Sequence, residues 1–240
     1  MPVIYEPRGK AREYCERAAN LYHGCDHGCL YCYAPSATYK TREAFAAVRH
    51  RPGVIDALKK EAPAHAGCEV LLCFTCDPYS TFAWKSDITS QAINALHDGG
   101  CSVTILTKGG LRSERDFPLL RPGDKYGATL TFMTDRDTCE WEPGAGSPAE
   151  RMWCLEDVHK RGITTWASLE PVIDPEASLA LIEATLSYVD IYKIGKWNHD
   201  ARAKGIDWQK FTEQAIDILR KNNKQYMIKK DLAIYLKEAA

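Results

Sequence analysis

Apolar and polar positions along this chain follow two alternating rhythms. Short apolar runs end at glycine, proline or a charge. Between them lie longer segments whose apolar residues recur every three or four positions, as on one face of a helix. The run Glu69-Val70-Leu71-Leu72-Cys73-Phe74-Thr75 is almost continuously apolar, as expected of a strand covered on both faces. Ser102–Lys108 repeats the pattern and is closed by Gly109-Gly110. Further strands are expected over Tyr126–Phe132, Ile163–Leu169 and Ile191–Gly195, with a shorter one between Tyr14 and Tyr22. Helical periodicity covers Thr41–Glu61, interrupted at Pro52-Gly53, and then Asp87–His97, a short piece around Leu111–Leu120, Pro175–Tyr188 and Trp208–Asn222. Ser147-Pro148-Ala149-Glu150 reads as a capping box with proline at the first helical position, opening a helix through Arg161. Residues 1–15 read as an irregular arm and 134–146 as a loop. Residues 223–240 form a C-terminal extension, either a last helix or a strand followed by one.

Strand followed by helix, repeated about six times, implies a parallel sheet with helical crossovers. A full eight-unit barrel needs roughly 250 residues. The arm and the 134–146 loop use part of the 240 available, so six units fit better. The expected fold is α/β, a partial (β/α)6 TIM-like barrel, with residues 1–240 as a single domain. Polar and Gly/Pro-rich segments recur where the strands end: Cys76-Asp77-Pro78, Lys108-Gly109-Gly110, Glu170-Pro171 and Gly195-Lys196-Trp197. In parallel barrels that rim carries the active site.

Composition narrows the class. Hydrophobic residues make up 45% and charged residues 26%, with a net charge of -1, so no global basic field demands nucleic acid. No apolar run approaches the roughly 18 residues of a membrane span, and no partner membrane is expected. Ten cysteines without an apolar leader point to a reducing, cytoplasmic setting, where they are thiols or metal ligands.

Three of them, Cys25, Cys29 and Cys32, lie at a C-x3-C-x2-C spacing among glycines and aromatics. They cannot all pair with one another as disulfides, and they converge readily on one metal centre. An iron–sulfur cube takes cysteine thiolates and normally wants four. Three thiolates would leave one iron open, as catalysis needs. Two alternatives stand beside this: a structural zinc site with His23 or His27 as fourth ligand, and free thiols. A zinc module usually carries a second distant pair. The one other C-x2-C, Cys73-Phe74-Thr75-Cys76, ends a strand.

Cys25-x3-Cys29-x2-Cys32, with Tyr31 before the last cysteine, resembles the radical S-adenosylmethionine (SAM) enzymes. Gly24-Cys25, Cys29-Leu30-Tyr31-Cys32-Tyr33-Ala34, Thr75-Cys76-Asp77-Pro78-Tyr79, Thr107-Lys108 and Leu169-Glu170-Pro171-Val172 are similar to the branch that contains spore photoproduct lyase. The resemblance implies a [4Fe-4S] cluster on the three cysteines whose open iron chelates SAM. It also implies an external one-electron reductant of flavodoxin or ferredoxin type, and a 5′-deoxyadenosyl radical that takes hydrogen from a substrate. The substrate is not legible, nucleic acid being one class considered.

Carried over residue by residue, Tyr31 would lie near the adenine, and Thr75, Cys76 and Asp77 would meet the methionine amino group. Asp77 equally suits capping the turn at Pro78. Lys108 would pair with the methionine carboxylate, Thr129 or Thr131 with the ribose, and Ser168 and Glu170 with the cofactor at the fifth strand end. Cys76 or Cys73 is the candidate hydrogen donor. Arg151, a cation in a first helical turn where it opposes the dipole, calls for a substrate anion or a barrel carboxylate. Lys196 and Trp197 are candidate substrate contacts. Arg220, Lys221, Lys224, Lys229 and Lys230 could meet phosphates, and Trp84, Trp141, Trp197 and Trp208 could stack on bases. The competing readings are a zinc-stabilised nucleic-acid-binding module and a one-electron iron–sulfur carrier.

Overall fold

A computed structural model of the chain describes residues 2–236. Its strands are β1 (Ile4–Tyr5), β2 (Arg17–Ala19), β3 (Tyr22–His23), β4 (Arg49–His50), β5 (Glu69–Leu72), β6 (Ser102–Thr107), β7 (Lys125–Thr129), β8 (Thr164–Val172), β9 (Ile191–Lys196) and β10 (Gln225–Ile228). Eight of them form one sheet in the order β1-β2-β5-β6-β7-β8-β9-β10. Only β1 runs antiparallel to its neighbour within that sheet. β3 and β4 make a separate antiparallel ribbon. This is the α/β fold expected, a partial barrel of parallel strands with helices outside.

Alternation along the strands sorts side chains into two layers. Val70, Leu72, Val103, Ile105, Tyr126, Ala128, Ala167, Leu169, Tyr192 and Ile194 join the large core shared with the helices. Leu71 and Trp166 point the other way, into a smaller inner cluster with Cys15 and Ala18. That inner face also carries polar groups. Glu69 accepts from Thr104 and Lys125, and Lys193 Nζ donates to the Tyr14 carbonyl at 2.6 Å. The outer core is closed by amphipathic helices such as Trp208–Lys221, which buries Trp208, Phe211, Ala215 and Leu219. Ser147 caps the helix Pro148–Lys160 in the expected capping box.

Several local expectations are corrected. The N-terminal arm carries β1 and a 3-10 turn over Gly9–Glu13. The stretch 134–146 holds a helix, Asp135–Trp141, with Thr134 accepting from Asp137 N as its cap. β8 runs through Glu170-Pro171 instead of stopping there. Of the two alternatives for the C-terminal extension, the strand followed by a helix is the one found, as β10 and Lys230–Ala233, and positions 237–240 lie outside the described residues.

Both chain ends serve the barrel. The arm brings Tyr14 against Phe74 and Trp166, with ring centroids 5.6 Å and 6.0 Å away. Glu13 accepts from Lys230 N at 3.1 Å, which ties the arm to the extension.

Candidate active site

The cysteine loop follows β2 and β3 and is held by backbone contacts. Gly24 has φ +89°, and a Cβ there would sit 2.1 Å from the Phe45 carbonyl oxygen, so only glycine fits. The adjacent Cys25 N donates to that same oxygen at 3.1 Å. Leu30 N donates to Trp141 O at 2.8 Å, and Arg42 donates to the carbonyls of Cys29 and Leu30 at 3.0 and 2.6 Å. So clamped, Cys25, Cys29 and Cys32 line one cavity of about 530 Å³. Thr75, Cys76, Asp77, Lys108, Thr129, Glu170, Lys196, Trp197 and Cys73 line it too, as does Tyr31. Thr131 and Ser168 lie behind this wall: Thr131 is 3.3 Å from the Tyr31 hydroxyl and Ser168 is 3.2 Å from that of Tyr14. The strand C-terminal ends therefore build one pocket out of residues spread over most of the chain.

Asp77 is used up by the protein. One oxygen accepts from Tyr79 N and Thr107 Oγ1 at 2.8 and 2.7 Å. The other accepts from Lys108 N at 2.8 Å and lies 3.0 Å from His27 Nε2. A carboxylate has about four acceptor positions, and all are taken. Burial raises its pKa, but the His27 imidazole and the bonds from Thr107 and Lys108 outweigh that and hold it well below the usual carboxylate range. These bonds give Asp77 an anchoring role at the cavity wall.

His27 Nδ1 is 2.9 Å from the Gly144 carbonyl, so both ring nitrogens are engaged. The zinc reading loses that ligand. His23 is exposed on the β3–β4 ribbon. Among the described residues no three His, Cys, Asp or Glu side chains converge on a single metal ion. A cluster makes no such demand, because its irons are ligated one by one. Burial pushes the Cys29 thiol up to about 12, against the pull of Lys108, and raises Cys25 as well. Thiolates in such a setting need a positive partner, which iron supplies. The donor set fits the cluster.

Beneath the loop lies a network that the linear sequence does not expose. Glu142 is fully buried, accepts from the Tyr31 hydroxyl, and pairs with Arg151 Nη2 at 2.5 Å. Arg151 also donates to the carbonyls of Gly146 and Thr129 at 2.9 and 3.0 Å. It is 1% exposed, and the carboxylate it meets is that of Glu142, at the end of the helix Asp135–Trp141. Burial would raise Glu142, but Arg151 and Lys108 hold its pKa below the ordinary value. Burial lowers Lys108, yet the charges of Cys29 and Glu142 leave it raised. Among the described residues the Lys108 ammonium makes no hydrogen bond. It stands 5.6 Å from the Tyr31 ring centroid and lines the cavity.

Glu170 is met from both chain ends: it accepts from the Tyr14 hydroxyl and the Lys229 ammonium. It lies against Gly195, where a Cβ would come within 2.7 Å of its carboxyl carbon. Lys229, fully buried, is thereby removed from the expected phosphate-binding cluster, and Arg220 is tied to the Tyr226 hydroxyl. Trp197 and Trp208 are buried as well. Trp197 packs edge-on against Trp141 at 5.7 Å, while Lys196 donates to the Tyr235 hydroxyl. Lys229, Trp197 and Trp208 are thus buried, while Arg220, Lys221, Lys230 and Trp84 stay exposed and Lys224 and Trp141 are half-buried. Cys73, at φ +65°, and Cys76 flank the cavity wall beside Asn20, whose Oδ1 is 3.7 Å from Cys76 Sγ.

An α/β partial barrel with three loop cysteines and a cationic side chain on one rim cavity defines a class of enzyme that hosts an iron–sulfur cluster at the barrel mouth. The Radical SAM superfamily model matches residues 19–189, and the chain belongs to that superfamily. The cofactors of that superfamily are a [4Fe-4S] cluster and S-adenosylmethionine, and its chemistry starts from SAM cleavage. Such enzymes need a reductant. The zinc-module and electron-carrier readings are set aside.

Spore photoproduct lyase complexed with dinucleoside spore photoproduct is similar in fold, with a TM-score of 0.71 and 11% identity over 93% of this chain and 79% of that one. Streptococcus suis SuiB bound to S-adenosylmethionine gives a TM-score of 0.67 at 13% identity, over 91% of this chain and 51% of that one. An uncharacterized Mycobacterium tuberculosis protein is 25% identical over 171 residues, 64% of this chain. The chain spans about half the length, 48%, of the curated relatives it matches. Among the described residues no helix is long and apolar enough to cross a membrane.

Proposed function

We propose that Cys25, Cys29 and Cys32 hold the [4Fe-4S] cluster, and that the cavity beside them binds SAM with its methionine carboxylate on Lys108. Bound there, the cofactors supply a 5′-deoxyadenosyl radical able to take hydrogen from a substrate. The observation that carries this reading is that one cavity is lined by all three cysteines and by an ammonium group with no hydrogen-bond partner among the described residues. The protein's own part is to orient and to exclude water. Asp77 fixes the ends of β5 and β6 against the cysteine loop. Glu142 and Arg151 hold Tyr31 under it. Thr75, whose N–H is held by Asn20 at 2.9 Å, and Glu170 offer polar contacts to the cofactor, with Thr129 for the ribose.

The substrate shares the cavity with SAM. Arg8, Tyr33, Phe74, Lys196 and His199 line its remaining walls, a partly cationic, partly aromatic setting. A nucleic acid reacting in the cavity would meet these groups first. Cys76, better placed against the cavity than the buried Cys73, is the candidate hydrogen donor.

Anaerobic reconstitution with iron and sulfide is expected to give a brown protein that converts SAM to 5′-deoxyadenosine under dithionite. Cluster loading that survives Cys29→Ala unchanged would sink the proposal. Deuterated nucleic acids and peptides, screened for deuterium passed to 5′-deoxyadenosine, identify the substrate class.

A further inference from the structure

One short helix, Arg42–Ala46, braces the cysteine loop at two points. It is capped by Thr41, whose Oγ1 accepts from Ala44 N at 3.2 Å. Residues three apart share a helix face, and here Arg42 and Phe45 both reach the loop. The carbonyl of the buried Phe45 accepts from Cys25 N at 3.1 Å. The Arg42 guanidinium donates through Nη1 to the Cys29 carbonyl at 3.0 Å and through Nη2 to the Leu30 carbonyl at 2.6 Å. A single helical turn therefore sets the first cysteine against the second. Cys32 joins the same frame, since its N–H donates to the Cys29 carbonyl at 3.1 Å. Phe45 already roots the helix in the core, while Arg42 is exposed. Its two hydrogen bonds go to loop carbonyls and neither goes to a carboxylate, so a full positive charge stands beside the peptide of a ligand cysteine.

We infer, resting on the cluster assignment above, that Arg42 is a positioning residue for the cluster: it fixes Cys29 and Leu30 relative to Cys25, and its charge eases the cluster's reduction. Two separate effects are involved. The fork spans two successive carbonyls, which a lysine ammonium cannot match, and so it restrains the loop against opening and releasing iron. The charge favours the reduced cluster, which is the more negative state; cluster potentials follow net charge, hydrogen bonding and exposure. The step it assists is a plain electron transfer. A low-potential reductant such as dithionite is oxidised, one electron enters the cluster, and no protein bond forms or breaks.

The test compares wild type with three variants after anaerobic reconstitution with iron and sulfide. Arg42→Gln removes the charge and the fork. Arg42→Lys keeps the charge without the fork. Arg49→Gln removes an exposed charge on β4, in the same stretch of chain. The midpoint potential is read by electron paramagnetic resonance during a redox titration, and cluster release by the rate at which a chelator captures iron. In Arg42→Gln the ratio of reduced to oxidised cluster at the wild-type midpoint is expected to fall at least about threefold, and iron to leave at least about threefold faster. Arg42→Lys should keep the wild-type midpoint and still release iron faster. Arg49→Gln should match wild type in both. Equal urea midpoints for all four metal-free proteins separate this role from a general folding one. Arg42→Gln with wild-type potential and wild-type release overturns the proposal. So does a shift in Arg49→Gln as large as that in Arg42→Gln, which would assign the effect to surface charge at large. A wild type that assembles no cluster defeats the cluster assignment and this inference with it, whereas a loaded wild type with unaltered Arg42 variants defeats this inference alone.

Discussion

His27 Nε2 lies 3.0 Å from Asp77 Oδ2, and this contact ties the cysteine loop to the segment that follows β5. Through Asp77 it also reaches Thr107 and Lys108 at the end of β6. Asp77 thus links the loop to the ends of two strands, in addition to the clamps at Phe45, Trp141 and Arg42.

Asp77→Ala strands three buried donors at once, Tyr79 N, Thr107 Oγ1 and Lys108 N, and removes the carboxylate 3.0 Å from His27 Nε2. The expected cost is about 3 kcal/mol or more, read from urea unfolding of the metal-free protein. The carboxyl pKa is depressed in the folded state, so its stabilisation is fully present above the unfolded value of about 3.9 and is lost as pH falls below it. The stability gap between wild type and Asp77→Ala should then shrink below about pH 4. A gap under about 1 kcal/mol at neutral pH would contradict the anchoring role.

The Glu142–Arg151 pair predicts non-additive behaviour. Arg151→Met leaves a buried carboxylate without its guanidinium, at a cost of about 3–5 kcal/mol. Replacing both with Arg151→Met/Glu142→Leu should recover a large part of that loss, because no lone charge remains buried. Strictly additive unfolding free energies across the cycle would show that the two side chains do not act as a unit.

Lys108→Met separates cofactor binding from cluster binding. Its ammonium bonds no other described side chain, so iron and sulfide content should match the wild type. SAM affinity should weaken at least about tenfold, the worth of one hydrogen bond to a charged group. Equilibrium dialysis with labelled SAM reads this directly, and undiminished affinity would assign the carboxylate to another residue.

Lys193 gives a test at alkaline pH. Burial pulls its ammonium down to about 8, within the inner cluster under Trp166, whose ring centroid is 4.7 Å from Nζ. An unfolded lysine titrates near 10.4. The folded protein therefore sheds this proton first, and stability should rise between about pH 8 and pH 10.4, by at most roughly 3 kcal/mol. Urea midpoints of wild type against Lys193→Met at about pH 7 and about pH 9.5 check it: the rise should be missing in the variant.

How far the site is legible in the sequence depends on how local its parts are. Cys25, Cys29 and Cys32 fall within one short loop, and Gly24 marks the tight approach to Phe45 that holds it. Glu142 escapes because the helix Asp135–Trp141 is short and reads as loop. Its Thr134 cap, three residues before Asp137, is the signal that finds it. Arg151 announces a partner by placing a cation in a first helical turn, but not which one. Tyr14 and Lys229, 156 and 59 residues from Glu170, leave no local trace of their meeting.

The sequence by itself determined the strand–helix rhythm, the parallel sheet and the three-cysteine loop, because each rests on spacing among near neighbours. Only the tertiary structure decided which polar residues remain open to a guest. Asp77, Arg151, Lys229 and Trp197 all look available in the linear chain. The fold buries them, and a buried polar group must find its partners inside the protein. Lys108 keeps its charge, without a hydrogen-bond partner among the described residues, on the wall of the cavity that the cysteines share.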